Sequence, residues 1–368
     1  MQCPYTPQIT YTEFSERIYK KIIKNRIPYN GSIELTLRCN LRCAHCYCVA
    51  DPHKKEMSAK QIKHILDEIS DAGCLWLLIT GGEPLLRDDF LDIYIYAKKK
   101  GMMITLFTNG TLITPGLADY LKDFPPFAIE ISLYGVKKET YEQITGIEGS
   151  FERCRKSIDI LMDRGLPLRL KTMAMSLNIN EFSEIEQFVK DLGVEFRFDA
   201  AVNSKLDGNR DPCELRISPG EVVKLDLVDP KRVESWKSFF KQYRYHPKSD
   251  KLYTCSAGLT VFHVDPYGNL SPCIMARYPA YNLLQGSFMQ GWYRFVPDEI
   301  LTQTYEENHS CADCDLQSIC SQCPGWAQFE NGDSQTPVEY LCKIAHLRAE
   351  VFSQEVNLEN AVLAIDNH

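Results

Sequence analysis

The stretch Thr36–Cys48, TLRCNLRCAHCYC, places four cysteines within ten residues directly after the first apolar strand candidate of the chain. Cys39, Cys43 and Cys46 form a C-x3-C-x2-C pattern, and Cys48 trails behind them. Four thiols meet the ligand count of a tetrahedral zinc site, yet zinc knuckles and ribbons are usually built from two separated C-x2-C pairs. A C-x3-C-x2-C loop instead wraps three thiolates around one face of a [4Fe-4S] cube and leaves the fourth iron open. An open iron is what a catalytic cluster needs to bind a chelating substrate. Cys48 reads as a bystander, so Cys48→Ser is expected to leave the cluster in place.

Outward from this loop, apolar strand candidates lie at residues 33–37, 74–80, 102–107, 127–133, 168–175 and 194–198. Amphipathic helix candidates alternate with them near 58–72, 88–100, 114–121, 150–164 and 181–191. In the first, Ile62, Ile65, Leu66 and Ile69 recur at three- and four-residue spacing behind Ser58, a good cap. Such alternation predicts an α/β fold of parallel strands with helices outside. Six units are too few for a closed eight-fold barrel, so an open, partial (β/α)6 barrel is expected. Its working residues should sit at the C-terminal strand ends. The cysteine loop follows the first strand, Gly81–Pro84 the second, and Thr108–Gly110 the third. Ser132–Gly135 close the fourth, and Asp199 ends the sixth.

The whole chain bounds this reading. Its 368 residues accommodate two domains. Residues 1–30 carry several Lys and Glu and no long apolar run, which predicts neither signal peptide nor membrane span. A net charge of -8 argues against nucleic acid as the main partner. Fifteen cysteines in a large chain without an export signal point to metal ligands rather than disulfides. The expected organisation is an N-terminal extension (1–30), the barrel (31–203), a turn-rich linker with a bridging helix near 219–243 (204–250), a cysteine-rich segment (251–345) and a C-terminal helix and tail (346–368).

At the second strand end, LLITGGEPLLR (residues 77–87) sets two glycines, a carboxylate and a proline together. Glycines let a ligand approach the backbone, and free carbonyls with Glu83 can accept hydrogen bonds from an ammonium group. With Cys39, Cys43 and Cys46, His45 in an aromatic slot, GGEP at Gly81–Pro84, TNG at Thr108–Gly110 and ISLYG at Ile131–Gly135, residues 30–200 resemble the radical S-adenosylmethionine (radical SAM) enzymes. The resemblance implies that the open iron chelates the methionine moiety and that one electron cleaves the sulfonium. Methionine and a 5′-deoxyadenosyl radical result, and the radical abstracts hydrogen from a substrate. It further implies cofactor contacts from His45, Gly81, Gly82, Glu83, Pro84 and Asn109, with Ser132 on the ribose. Tyr134 stands where relatives often carry Asp; it is a candidate to lie against the cofactor. Asp199 is a candidate base, although a structural ion pair suits it equally, and Lys171 lies on an inward strand near the same mouth.

Farther on come Cys255, GNLSPC ending at Cys273, then Cys311, Cys314, Cys320 and Cys323 (C-x2-C-x5-C-x2-C), and Cys342. Seven thiolates cannot complete two zinc tetrahedra. The pattern resembles the SPASM extension of peptide-modifying radical enzymes, which implies two auxiliary [4Fe-4S] clusters. Carried over by order, Cys311, Cys314, Cys320 and Cys342 bind the far cluster, while Cys255, Cys273 and Cys323 bind the near one. SAGLTVF after Cys255 lacks the extra cysteine of some relatives, and two residues rather than three precede Cys323. The near cluster therefore keeps an open iron or takes an unnamed ligand. Cys3, Cys74, Cys154 and Cys213 read as ordinary free cysteines, with a redox or ligand role left open at Cys213, in the loop over the mouth.

Auxiliary clusters supply an acceptor when a substrate radical loses an electron. The expected function is therefore a cross-link or other net oxidation of a residue in a ribosomally made precursor peptide. The roughly 30 residues before the first strand are too few for the winged-helix module that often grips the leader, so a separate leader-recognition protein is the expected partner. An electron donor such as flavodoxin or ferredoxin, and a reducing cytoplasm, complete the expectation. Its rivals are a radical enzyme of cofactor or porphyrin biosynthesis, a sulfatase-type protein maturase, and a zinc-stabilised binding protein without catalysis.

Overall fold

The computed structural model describes residues 9–353. Cys3 and the last part of the expected tail lie outside them. A helix α1 (Tyr11–Lys24), closed at its start by a Thr10–Glu13 capping box, precedes a run of strands and helices. In order these are β1 (Asn30–Glu34), α2 (Ala59–Asp71), β2 (Trp76–Thr80), α3 (Phe90–Lys99), β3 (Met103–Thr108), α4 (Pro115–Asp123), β4 (Ala128–Ser132), α5 (Lys138–Thr145), α6 (Ser150–Asp163), β5 (Leu168–Met173), α7 (Phe182–Asp191) and β6 (Glu195–Asp199). Strands β1 to β6 pair side by side and parallel, as the alternation requires.

Side-chain alternation splits this curved sheet into two faces. Ile33, Leu77, Ile79, Ile104, Leu106, Ile129, Ile131, Leu168 and Leu170 are buried beneath the helices. Helix α2 shows why: its Ser58–Gln61 capping box satisfies the first-turn N–H groups, and its stripe Ile62, Ile65, Leu66 and Ile69 is fully buried. Each such side chain contributes about 1.5–3 kcal/mol on leaving water. The opposite face lines the lumen, and it is polar: Ser32 and Glu34 on β1, Thr80 on β2, Glu130 and Ser132 on β4, Lys171 on β5, Arg197 on β6.

The cysteine-rich segment extends the same sheet. Helices α8 (Pro219–Val228) and α9 (Pro230–Tyr243) come first, in place of the single helix expected near 219–243. Asp229 accepts from Lys231 N as a fresh cap, and Pro230 begins the new helix. Strand β7 (Val261–Val264) then pairs parallel to β1, and β8 (Asn269–Ser271) and β9 (Tyr281–Asn282) follow antiparallel. The result is one nine-stranded sheet in the order β6-β5-β4-β3-β2-β1-β7-β8-β9, open at both ends among the described residues. Helix α10 (Phe288–Gln290) runs into a wider coil at Gly291–Leu301 that buries Trp292 against Phe262 and Phe288. Helices α11 (Pro324–Asn331) and α12 (Glu339–Phe352) close the fold. Helix α12 packs Leu347, Val351 and Phe352 on Val223, Val233 and Phe240 of α8 and α9. Among the described residues no helix is long and apolar enough to cross a membrane.

Candidate functional site

The chain leaves β1 at Glu34 and turns into the cysteine loop, held by short backbone bonds. Cys46 N donates to Cys43 O, Arg42 N to Thr145 O, and Ala44 N to Ile144 O, so the end of α5 supports the loop from outside. Cys39 is exposed, while Cys43 and Cys46 are half-buried. Burial pushes the Cys43 thiol up, and negative charge on Cys46 and Cys39 adds to the rise. The three sulfurs thus sense one another, and a bound cationic centre would turn that repulsion into ligation by thiolates. Asn109 Nδ2 lies 3.7 Å from Cys39 Sγ and donates to Asn40 Oδ1 at 2.9 Å.

Cys48 stands beside the third cysteine of the loop. Its thiol hydrogen-bonds to Cys46, which draws the Cys46 thiol down to about 7. The two-residue offset leaves the groups in contact because the loop here is not an extended strand.

The GGEP segment presses directly on this loop. Gly82 N donates to Thr36 O at 2.8 Å and Glu83 N to Arg38 O at 2.9 Å. A Cβ on Gly81 would stand 2.2 Å from Thr36 O, and one on Gly82 would stand 2.4 Å from Arg38 O. Gly81 also holds φ +143°, which side chains rarely adopt. Glu83 departs from its expected role. Its carboxylate is fully buried and accepts from Leu85 N, from Thr108 Oγ1 and from Asn109 N at 2.7 Å. It therefore ties the second strand end to the third instead of presenting free acceptors. Burial outweighs these donors and pushes its carboxyl up to about 7.

Two aromatic groups close the other side. His45 is pushed down to about 4 by burial, and its ring meets Tyr134 edge-on at 4.6 Å. The His45 Nδ1 has no hydrogen-bond partner among the described residues. Tyr134 lies beside Ser132 and within the field of Cys43, Cys46 and Cys39. Asp199 does not join them: it is exposed at the rim, and its Oδ1 accepts from Ala201 N at 2.9 Å.

Sequence reasoning missed a clasp in the lumen. Glu34 is fully buried, and Arg277 holds it with both Nη atoms at 2.7 Å. His263 of β7 lies 3.4 Å away and meets Ser32 Oγ at 2.8 Å. The pairing pulls the Glu34 carboxyl down to about 2 against its burial. Arg277 follows Cys273 by four residues, so the clasp fastens the Cys273 loop to the barrel wall.

Cys311, Cys314, Cys320 and Cys342 line one small cavity, with Tyr305, Gln317 and His346 around them. Cys323 is pushed up to about 11 by burial and feels Cys273 and Cys255, whereas Cys320 feels Cys342, Cys311 and Cys314. Among the described residues no group of three or more His, Cys, Asp or Glu side chains is arranged to hold a single metal ion. Cys74 and Cys154 are buried in the core, and Cys213 Sγ lies 3.9 Å from Glu330. The donor sets fit iron–sulfur clusters: one mutually interacting triad per open site and one cavity shared by four thiols.

Residues 33–192 match the family model of the radical SAM superfamily. This segment of the chain is a radical SAM domain. The cofactors of that superfamily, S-adenosylmethionine and a [4Fe-4S] cluster, suit the Cys39, Cys43 and Cys46 triad within it. The AdoMet-dependent heme synthase of Methanosarcina barkeri (strain Fusaro / DSM 804) is 25% identical over 325 residues, covering 82% of this chain and 92% of that enzyme. The antilisterial bacteriocin subtilosin biosynthesis protein AlbA of Bacillus subtilis (strain 168) is 29% identical over 251 residues, which cover 68% of this chain and 55% of AlbA. The fold of Streptococcus suis SuiB bound to its precursor peptide SuiA superposes with a TM-score of 0.71 at 17% identity, covering 93% of this chain and 83% of SuiB.

Proposed function

We propose that this radical SAM enzyme oxidatively modifies a residue of a ribosomally made peptide, forming a cross-link or a related product. The observation that carries the reading is the clasp between Glu34 and Arg277, which anchors the loop of Cys273 to the wall of the lumen. A net oxidation needs an electron acceptor close to the substrate, and this loop brings one group of thiols there. The kinship with AlbA, whose name assigns it to bacteriocin biosynthesis, favours a peptide as substrate.

The bound cofactors supply reductive cleavage of the sulfonium, a 5′-deoxyadenosyl radical that abstracts hydrogen, and an acceptor for one electron. Cys39, Cys43 and Cys46 hold the catalytic cluster, and Gly81, Gly82 and Pro84 present backbone to the methionine. Glu83 keeps that backbone in place. Ser132 meets the ribose, Asn109 steadies Cys39, and His45 with Tyr134 exclude water. Cys311, Cys314, Cys320 and Cys342 hold the far cluster, while Cys255, Cys273 and Cys323 hold the near one. Asp199 keeps Oδ2 free at the rim to pass a substrate proton to solvent. A separate leader-recognition protein presents the peptide, and a flavodoxin or ferredoxin supplies the electron.

The test is anaerobic turnover of the reconstituted enzyme with a short precursor peptide encoded beside its gene. Loss of two hydrogens from the peptide, matched to 5′-deoxyadenosine, is the expected result. A second reading, action on a porphyrin, is favoured by the match that spans 92% of the heme synthase. Turnover of an iron-coproporphyrin with an inert peptide would select it.

A further inference from the structure

Three cations and three carboxylates share the lumen face of β4 to β6, and among the described residues one of the cations has no ion pair. Arg169, Lys171 and Arg197 face Glu130 and Glu195, with Asp199 at the rim. Arg197 Nη2 lies 2.8 Å from Glu130 Oε2, and Arg169 Nε lies 2.8 Å from Glu195 Oε2. Lys171 has neither ion pair nor hydrogen bond from its ammonium among the described residues. Its Nζ instead rests 3.0 Å from the centre of the Phe107 ring, with the Arg197 guanidinium 5.2 Å from the same ring. An aromatic face returns only about 0.5–2 kcal/mol to a cation. Withdrawing a charge from water without a counter-ion costs several kcal/mol. The imbalance pushes the Lys171 amine down to about 7, through burial and Arg197 and against Glu130.

Placement says what can relieve it. Lys171 stands opposite Ser132 on one side and Arg197 on the other, one step below Met173 and Asp199 at the mouth. The iron-chelating loop follows β1, at the far side of the lumen, whereas this row lies under β4 to β6, beside the open edge.

We propose that Lys171 and Arg197 form a carboxylate-binding subsite in the lumen, and that the substrate of this enzyme presents a carboxylate to it. The inference rests on the enzyme reading above only in calling the ligand a substrate. An acidic peptide residue and a porphyrin propionate share the required chemistry. An arriving carboxylate pairs with the ammonium, shields it and holds its proton more tightly, so the free amine becomes scarcer. The charged groups around it are Arg169 on its own strand, Glu130 and Arg197 on the neighbouring ones and, at the rim, Asp199.

The experiment needs no turnover, so its failure is separate from failure of the proposed function. Holoenzyme, reconstituted anaerobically, is acetylated at neutral pH, and each lysine's rate is read by peptide mass spectrometry. Glutarate at ten times its dissociation constant should slow Lys171 acetylation roughly tenfold. Exposed lysines should be unaffected, and dimethyl glutarate should give no protection. Arg197→Gln should weaken the protection, and Lys171 should still be protected by glutarate when S-adenosylmethionine is already bound. Acidic peptide and porphyrin dicarboxylate, added in separate arms, distinguish the two sources by which protects at lower concentration. Equal Lys171 rates with and without glutarate would overturn the proposal. So would full protection by S-adenosylmethionine alone, since its own carboxylate would then be the occupant.

Discussion

Arg277→Met removes the guanidinium that faces Glu34 in the floor of the lumen. In the wild type the two groups share a double hydrogen bond at 2.7 Å, and Glu34 is fully buried. The Glu34 carboxyl falls from 4.5 to about 2. That difference corresponds to about 3 kcal/mol in favour of the folded state. The folded value lies below the unfolded one, so this stability is present above pH 4.5 and disappears as pH falls toward 2. With Arg277 gone, burial, the largest influence on Glu34, is opposed by His263 without the guanidinium, so the Glu34–His263 pair takes up a proton more readily. The charged form then opposes folding, and the variant should gain more stability than the wild type does as pH drops from about 7 to about 5. Leaving a buried charge without its partner costs about 3–5 kcal/mol. Urea unfolding of anaerobically reconstituted protein, followed by far-UV circular dichroism with iron content in parallel, measures both effects. Replacing the pair together, Glu34→Leu with Arg277→Met, should recover most of the loss. A single variant within about 1 kcal/mol of wild type, or a double variant no better than the single, would refute the reasoning.

Three further outcomes follow from the same geometry. Cys48→Ser should retain the catalytic cluster iron but shift its reduction potential by some tens of millivolts, because hydrogen bonds to ligand sulfurs tune it; redox titration followed by EPR reads this, and an unchanged potential would leave Cys48 a bystander. Gly82→Ala would place a Cβ 2.4 Å from Arg38 O, so it should separate the two loops and abolish reductive cleavage of S-adenosylmethionine while the far-cluster iron persists; iron counting and 5′-deoxyadenosine assay separate the two effects. Glu83, raised from 4.5 to about 7, contributes stability that is full below pH 4.5 and lost as pH rises through 7; Glu83→Gln should flatten that slope in a pH series of urea midpoints.

Much of this organisation was legible in the cysteines and the strand–helix rhythm, because both follow from local spacing. The boundaries slipped where apolar character outlasts the hydrogen-bond ladder. Residues 33–37 read as the first strand, yet β1 is Asn30–Glu34, with Leu35 and Leu37 buried in the turn that follows. Helix α5 (KETYEQIT) escaped notice because few of its residues are apolar, among them the buried Tyr141 and Ile144. Strands β7 to β9 are four, three and two residues long, too short for a periodic signal, so their continuation of the barrel sheet could not be read. The clasp was hidden for a different reason: 243 positions separate Glu34 from Arg277. Lys171 was visible as an inward residue, but its missing counter-ion is a property of three strands together. Glu83 was read as a free acceptor because nothing in GGEP announces that Thr108 and Asn109 will fold onto it.

The central claim is that Cys39, Cys43 and Cys46 hold a cluster with one open iron that opens S-adenosylmethionine to a radical. Its most direct test is anaerobic reconstitution followed by reduction with dithionite in the presence of S-adenosylmethionine. The wild type should bind about 12 irons, as three [4Fe-4S] clusters require, and release 5′-deoxyadenosine. Cys43→Ser should bind about 8 and release none. A colourless wild type that takes up zinc, or a Cys43→Ser variant that still yields 5′-deoxyadenosine, would contradict the claim.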